Sequence, residues 1–200
     1  MIGAVVFDLG GVLIDWNPQY LYGKLIPDAA ARAHFLAEVC PQSWNERQDA
    51  GRALDAATAE RIALFPQHAD LIAAYYGRWQ EMLAGAIDDA VVLLEALQRR
   101  GVPLYALTNW SAELFPIARR RFAFLEYFRG IVVSGEEGLI KPDAAIFRVL
   151  CERHRLAPAT CLFIDDNPVN VAAAAALGFA HHHFVNAAAL RTCLNDLRLL

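Results

Sequence analysis

The chain has 200 residues, of which 56% are hydrophobic and 20% are charged. This composition predicts a compact globular fold and excludes a disordered chain, which would hold fewer apolar residues and more net charge. The formal net charge is only −4, and the densest basic cluster is Arg119–Arg121, so the charge pattern argues against a nucleic-acid partner or an anionic membrane surface.

The cysteines and the hydropathy pattern predict where the protein resides. Cys40, Cys151, Cys161 and Cys193 form no Cys-x-x-Cys pair, so neither a zinc site nor a redox couple is expected, and such thiols are typical of a reducing compartment. No apolar stretch is long enough to span a bilayer, and the apolar start of the chain has no basic region and is soon interrupted by Asp8. We therefore expect a cytoplasmic protein without a membrane partner.

Short β-branched and aromatic runs recur along the chain and predict five strands. Helical patterns lie between them and begin at capping residues, namely Asp88, Asp143, and Asn167 followed by Pro168 at the first helical position. Strands that alternate with helices predict an α/β fold with a parallel sheet and right-handed crossovers. The five expected strands lie at residues 4–7, 104–108, 131–134, 162–165 and 182–185.

The stretch from about residue 16 to residue 86 breaks this alternation. It contains helical patterns at residues 29–39, 57–64 and 68–82, and no convincing strand. Because about seventy helical residues cannot form one simple crossover, we expect an inserted α-helical cap at 16–86. The α/β core domain then comprises 1–15 plus 87–200.

Polar residues gather where the predicted strands end, and ligands bind at the carboxyl ends of strands in a doubly wound sheet. Asp8, Thr108, Lys141 and the pair Asp165 and Asp166 all follow this rule. Three converging carboxylates would repel one another, and Mg²⁺ bound by their oxygens would relieve this repulsion. Lys141 would add a positive charge for a substrate oxyanion, and an ionised Asp8 beside a phosphoryl group is a plausible nucleophile.

Four motifs together resemble those of the haloacid-dehalogenase superfamily, and the resemblance covers the whole chain. It implies a Rossmann-like core with a helical cap, a small-molecule phosphate substrate, and a sheet in which the five strands lie in the order 5-4-1-2-3. The phrase Asp-Leu-Gly-Gly-Val also looks like that of a glucose-1-phosphatase-like subgroup. The motifs are Phe7–Leu13, Leu107–Asn109, Lys141–Asp143 and Phe163–Asn167.

The resemblance also implies a role for each matching residue. Asp8 would attack phosphorus and form an aspartyl-phosphate, and Lys141 would neutralise the transferring group. Thr108 and the amide of Asn109 would hold that group. The Mg²⁺ ligands would be the carboxylates of Asp8 and Asp166 and the backbone carbonyl of Gly10, with Asp165 acting through water or orienting these ligands.

One position departs from the family pattern. Most phosphatases of the family carry a second Asp two residues after the nucleophile as general acid and base, and here that residue is Gly10. Loss of such an acid typically lowers the rate ~10²–10⁴-fold. Three explanations follow. The substrate has a leaving group that needs little protonation, such as a sugar 1-phosphate; a cap carboxylate such as Glu46 or Asp15, or the substrate itself, replaces the acid; or the chain does different chemistry.

Two alternatives to a phosphatase follow from this departure. A 2-haloacid dehalogenase also lacks the second Asp, but it needs no cation, and paired carboxylates such as Asp165 and Asp166 would repel without one. A non-catalytic module that binds phosphate and metal is the other alternative, although such a module has no need of a nucleophile.

Within the cap, Trp44 and Arg47 are the candidates for substrate specificity, because Arg suits a bidentate oxyanion. The expected oligomeric state is a monomer or weak dimer.

Overall fold

A computed structural model describes residues 1–200, and a five-stranded parallel sheet forms its centre. Its strands lie in the order β5-β4-β1-β6-β7, and a separate antiparallel pair joins β2 to β3. The strands are β1 (Ala4–Phe7), β2 (Ile14–Trp16), β3 (Leu83–Ala86), β4 (Leu104–Thr108), β5 (Gly130–Val133), β6 (Cys161–Asp165) and β7 (Ala180–His183).

Eleven α-helices accompany the strands, and five of them lie between β2 and β3. No helix in the structure combines the length and the apolar character needed to cross a bilayer. The helices are α1 (Gln19–Leu25), α2 (Ala29–His34), α3 (Gln42–Asp49), α4 (Leu54–Leu64), α5 (Ala69–Gly77), α6 (Asp88–Arg99), α7 (Phe115–Arg121), α8 (Ser134–Glu137), α9 (Ala144–His154), α10 (Pro168–Ala176) and α11 (Ala187–Asp196). A π-helical turn lies at Phe35–Val39, and 3-10 turns lie at Pro66–His68, Trp79–Met82, Ala123–Tyr127 and Pro158–Thr160.

Both faces of the parallel sheet are buried, as expected for crossover helices on each side. Val5 and Phe7 belong to a large apolar cluster that includes residues of α6 and α11, whereas Ala4 and Val6 belong to a smaller cluster with residues of α9. This alternation follows from the two-residue period of a strand. The large cluster continues into helices α1 to α5, for example at Tyr22, so these helices share the apolar core of the sheet.

The expected α/β class and strand order are confirmed, with the first strand at the centre of the sheet. The predicted caps at Asp143 and Asn167 are also present, since the two side chains accept hydrogen bonds from the backbone N–H groups of Ala145 and Val169. Asp88 is not a cap, because Ile87 occupies that position. Asp88 instead lies in the first turn of α6, where its charge complements the helix dipole.

The expectation that residues 16–86 hold no strand is wrong. Leu83–Ala86 forms β3 and pairs with β2, with Ile14 opposite Ala86 and Asp15 opposite Gly85. The sequence Leu-Ala-Gly-Ala has little intrinsic β-propensity, so this strand depends on its pairing partner. The paired strands lie where the chain enters and leaves the helical stretch, and the division into domains at residues 16 and 86 stays a prediction.

The end of α3 is attached to the carboxyl edge of the sheet through Ser134. The Ser134 hydroxyl donates to the backbone carbonyl of Asp49 at 2.5 Å and accepts from the backbone N–H of Trp110 at 2.8 Å. Gly135 allows this close approach, because a Cβ there would lie 2.4 Å from the backbone nitrogen of Ala112. We call this set of hydrogen bonds the Ser134 junction.

We expect Gly135→Ala to lower the free energy of unfolding by about 1–3 kcal/mol, because its new methyl group meets backbone atoms that cannot rotate away. Urea unfolding measures this change. Gly23→Ala in α1 is the matched control, since nothing lies within 4 Å of its added methyl group, and it should leave stability unchanged or raise it by up to ~1 kcal/mol. Equal unfolding midpoints for the two variants would contradict the prediction.

Candidate active site

A buried lysine holds two carboxylates together at the carboxyl edge of the sheet. Asp8 directly follows β1, Asp165 ends β6, and the Lys141 ammonium lies 2.9 Å from Asp8 Oδ2 and 2.6 Å from Asp165 Oδ2. The other oxygen of Asp8 accepts from the backbone N–H of Leu9 at 2.7 Å. The side chains of Lys141 and Asp165 are fully buried, while Asp8 keeps a small exposed edge. Asp8 is therefore the carboxylate of this group that a ligand can reach.

Both carboxylate oxygens of Asp165 are engaged by other groups of the protein. Besides Lys141, it accepts hydrogen bonds from the backbone N–H of Asn167 at 2.8 Å and from the Asn170 amide at 3.1 Å to each oxygen. Asn170 lies in the first turn of α10, so this turn faces back onto the end of β6. Asp165 therefore positions Lys141. Sequence reasoning did not identify Asn170, although its place in the first turn after the Asn167 cap is a usable signal.

Asp166 is the exposed member of the acidic group. Single carboxylate oxygens of Asp8, Asp165 and Asp166 all lie within 4.8 Å of one another. The backbone at Gly11 makes room for Asp166, because a Cβ at Gly11 would lie 2.1 Å from Asp166 Oδ2, and its φ of +72° disfavours other residues. The fold thus reserves this space for the carboxylate.

The donor set suits a hard divalent cation. Burial raises the pKa of Asp8 to about 7, and Asp165 and Asp166 add to this effect, although Lys141 opposes it. One lysine cannot balance three carboxylates, whereas a divalent cation between them would remove the penalty on their ionised forms. All available ligands are oxygens, the type that Mg²⁺ and Ca²⁺ prefer.

Thr108 and Asn109 lie at the end of β4 and line the same cavity as Asp8. Asn109 also has a structural role that the motif alone does not predict. Its side-chain amide donates to the carbonyl of Lys141 at 2.9 Å, and its oxygen accepts from the N–H of Lys141 at 2.8 Å. This pair of hydrogen bonds fixes the main chain of Lys141 beside the sheet.

A cavity of about 530 Å³ opens above these residues. One wall is aromatic, since Trp16, Trp79 and Trp110 line it, and Trp79 and Trp110 pack edge to face at 5.4 Å. The other wall is polar and is formed by one face of α3. Lys141 is the only cationic residue that lines the cavity, which also contains residues Gln42, Asn45, Glu46 and Asp49 of α3 and Gly10 and Asp166 of the sheet edge.

The structure does not bring Trp44 and Arg47, the expected specificity residues, to the cavity. Trp44 is buried in an aromatic cluster with Tyr75 and Tyr76, with ring centroids 5.2 Å from each. Arg47 is exposed and does not line the cavity. The structure gives no support to a substrate contact for either residue, because the apolar side of α3 faces α5 and positions 42, 45, 46 and 49 face the cavity.

Asp49 is a second buried acid of the cavity, and sequence reasoning did not identify it. Its carboxylate accepts from the Asn45 amide at 2.9 Å. Burial and the nearby Glu46 raise its pKa to about 7, although the backbone N–H of Ser111 opposes this. Of the acids considered from sequence, Glu46 lines the cavity, whereas Asp15 lies outside it and accepts from the Tyr20 hydroxyl at 2.8 Å.

Similar proteins include a phosphatase and a dehalogenase. The chain is 29% identical over 200 residues to the sesquiterpene phosphatase astK of Aspergillus oryzae, covering 98% of this chain and 95% of that protein. It is 28% identical over 192 residues to (S)-2-haloacid dehalogenase 1 of a Pseudomonas species, covering 89% of this chain and 82% of that protein.

Solved structures share the fold. A predicted haloacid dehalogenase-like hydrolase from Porphyromonas gingivalis superposes with a TM-score of 0.74 at 23% identity, over 98% of both chains. A haloacid-dehalogenase family enzyme from Bacteroides thetaiotaomicron, solved with magnesium and inorganic phosphate, superposes with a TM-score of 0.67 at 20% identity, over 91% of this chain and 93% of that one.

The family model described as haloacid dehalogenase-like hydrolase matches residues 2–178, which is most of the chain. This match decides between the enzyme and the non-catalytic module in favour of the enzyme. Together with the five-stranded sheet and the lysine-bridged carboxylates at its edge, it shows that the chain belongs to the haloacid dehalogenase-like hydrolases.

Proposed function

We propose that this hydrolase is a Mg²⁺-dependent phosphatase that cleaves a small phosphomonoester through an aspartyl-phosphate on Asp8. The observation that carries the proposal is the grouping of three carboxylates around one buried lysine at the floor of a cavity. Three carboxylates and one lysine would repel a dianionic phosphoryl group, so this site can bind the group only when a cation is also bound. The phosphatase among the similar proteins supports the same reaction class.

The residues of the cavity floor have distinct roles in this reaction. Asp8 Oδ2 attacks phosphorus while Leu9 N–H and Lys141 hold the carboxylate in place. Thr108 offers its hydroxyl to the transferring group from the end of β4. Lys141 remains charged beside Asp8 and Asp165 and stabilises the negative charge of the transition state. Asp165 and Asn170 position Lys141, while Asn109 fixes the main chain of Lys141 and, with Thr108, holds the transferring group.

The cation would be held by Asp8 and Asp166 and by the backbone carbonyl of Gly10, while Asp165 orients the site. When bound, Mg²⁺ supplies positive charge to the phosphoryl oxygens and keeps Asp8 ionised. The magnesium and phosphate in the enzyme from Bacteroides thetaiotaomicron, which has the same fold, support the choice of Mg²⁺.

The charges of the cavity indicate a substrate whose organic group is uncharged. Glu46 and Asp49 are the acidic side chains on the α3 wall, and no arginine or histidine lines the cavity. A second anionic group on the substrate would face these acids without a cation of its own, which costs several kcal/mol. A sugar phosphate suits the amide and carboxylate groups of α3 and the faces of the tryptophans, in keeping with the glucose-1-phosphatase-like subgroup.

Dehalogenation of a 2-haloacid is the second candidate, and the similarity to the Pseudomonas enzyme favours it. The substrate of that reaction carries a carboxylate, and Lys141, which already bridges Asp8 and Asp165, is the sole cationic side chain in the cavity. The third carboxylate at Asp166 would repel that substrate further. We therefore favour phosphate hydrolysis.

The cytoplasmic location and the monomer or weak dimer remain predictions of the sequence. The four cysteines are free thiols, which fits a reducing compartment.

We expect Asp8→Asn to lower phosphatase activity by about 10⁴-fold or more, because an amide cannot form the phospho-enzyme. The assay uses 4-nitrophenyl phosphate with Mg²⁺, and beryllofluoride should form an adduct with the wild type alone. EDTA should stop the reaction. Turnover of 2-chloropropionate in EDTA, without phosphate release from any ester, would instead establish the dehalogenase.

Mg²⁺ should raise the melting temperature of the wild type by roughly 5–10 °C at a concentration near 100 times its Kd, because binding stabilises the folded state. Asp166→Asn should abolish most of this rise, since it removes a charged ligand. Asp196→Asn, at the exposed end of α11, is the matched control and should retain the rise. Equal shifts in both variants would show that the cation binds elsewhere.

Esters of uncharged alcohols should be preferred over anionic ones. We expect kcat/KM for glucose 1-phosphate or glucose 6-phosphate to exceed that for 3-phosphoglycerate by about 10²-fold or more, because the α3 wall repels the carboxylate. Glu46→Lys should reduce this difference by raising kcat/KM for 3-phosphoglycerate. A wild type that prefers 3-phosphoglycerate would contradict the assignment of substrate class.

A further inference from the structure

We propose that Asp49, from helix α3, is the general acid and base of the reaction and takes the place of the carboxylate missing at Gly10. This inference rests on the phosphatase function proposed above.

The reaction geometry requires the acid to come from the side of α3. In phosphoryl transfer the attacking and leaving oxygens lie roughly in line through phosphorus. Asp8 attacks from the edge of the sheet, so the leaving oxygen lies on the opposite side, toward the helices that cover the cavity. Asp49 belongs to one of these helices and lines the cavity, whereas a carboxylate at position 10 is absent and Asp15 lies outside the cavity.

Asp49 is attached to the wall that holds the phosphoryl group. Its carboxyl group lies near enough to the backbone N–H of Ser111, three residues after Thr108, for that N–H to lower its pKa. Its backbone carbonyl accepts from the hydroxyl of Ser134 in the Ser134 junction. Although Asp49 belongs to the helical stretch, its position is therefore fixed relative to the sheet edge.

A chain of buried hydrogen bonds orients the carboxyl group. Gln48 donates to the Tyr76 hydroxyl at 2.8 Å, and Tyr76 donates to Asn45 Oδ1 at 3.1 Å. Since Tyr76 occupies the oxygen of Asn45, the NH₂ group of that amide is directed to Asp49 Oδ2 at 2.9 Å. Gln48 is completely buried, and Asn45 and Asp49 are nearly so. A buried amide and tyrosine network of this kind is typical of an oriented functional group.

The protonation state of Asp49 fits the role. Burial and the like charge of Glu46 raise its pKa to about 7, and its place at the end of α3 adds the negative end of the helix dipole. The other titratable groups that face it are Tyr75 and Tyr76 of α5, whose pKa values are raised by burial, so both remain neutral. Near neutral pH the carboxyl group can both donate and accept a proton, which is the condition for a general acid and base.

With Asp49 as acid and base, every bond formed and every proton moved is accounted for in both steps of the reaction. In the first step Asp8 forms a bond to phosphorus, the ester oxygen leaves, and it takes the proton of Asp49, which gives the alcohol, the aspartyl-phosphate and ionised Asp49. In the second step Asp49 takes a proton from water while the water oxygen bonds to phosphorus. The acyl-phosphate bond then breaks, which releases inorganic phosphate and restores ionised Asp8 and protonated Asp49.

The dependence of rate on the leaving group tests this role. 4-Nitrophenolate leaves without protonation, whereas the alkoxide of benzyl phosphate needs a proton. We expect Asp49→Asn to lower kcat/KM for benzyl phosphate by about 10²–10⁴-fold and for 4-nitrophenyl phosphate by less than about tenfold. Asp15→Asn is the matched control, since Asp15 lies outside the cavity, and it should leave both rates unchanged.

Three results would overturn the proposal. An equal loss on both esters in Asp49→Asn would assign Asp49 to binding or to structure, and an unchanged melting temperature with retained beryllofluoride binding shows that the variant is folded. A selective loss in Glu46→Gln, with none in Asp49→Asn, would assign the acid to Glu46. A wild type that hydrolyses neither ester and traps no Asp8 adduct would remove the phosphatase function itself, and that result is distinct from the other two.

Discussion

The arrangement of the sheet edge depends on the buried ion pairs of Lys141 with Asp8 and Asp165. Two desolvated carboxylates at adjacent strand ends would repel each other, and a buried charge without a partner costs several kcal/mol. Lys141 lies between them at 2.9 Å and 2.6 Å, and this contact holds the loop between α8 and α9 over the ends of β1 and β6. Such pairs contribute little net stability, but they permit few other arrangements of these chain segments.

Several other polar groups at the sheet edge hold Lys141 in place. Asn109 binds its main chain with two hydrogen bonds, and Asn170 and the N–H of Asn167 occupy the oxygens of Asp165 that Lys141 leaves free. Asn109 thus joins Lys141 to the end of β4, and Asn167 and Asn170 support it through Asp165 at the end of β6. Residues at the sheet edge thereby determine the charge environment of Asp8, and the side chains of the helices above the cavity are available to contact the substrate.

The residues of the four motifs could be predicted from sequence because the carboxyl ends of parallel strands must meet at one edge. Residues on α3 could not, because the phase of that helix depends on which side packs against α5. Trp44 was expected in the cavity and instead fills the aromatic cluster, while Asp49 was overlooked. Strand β3 escaped prediction for the same reason, since Leu-Ala-Gly-Ala becomes a strand only through pairing with β2.

With glycine at position 10, an alkoxide leaving group must take its proton from another residue. A carboxylate two residues after Asp8 would belong to the sheet edge, where Asp165 and Asp166 already crowd the nucleophile. An acid on α3 belongs to a different element from that negative charge, and burial together with the nearby Glu46 raises its pKa to about 7. The position of Asp49, the proposed general acid and base, therefore depends on the Ser134 junction. Proton transfer is thereby available only while α3 covers the cavity, and covering the cavity also excludes water from the phospho-enzyme until the alcohol has left.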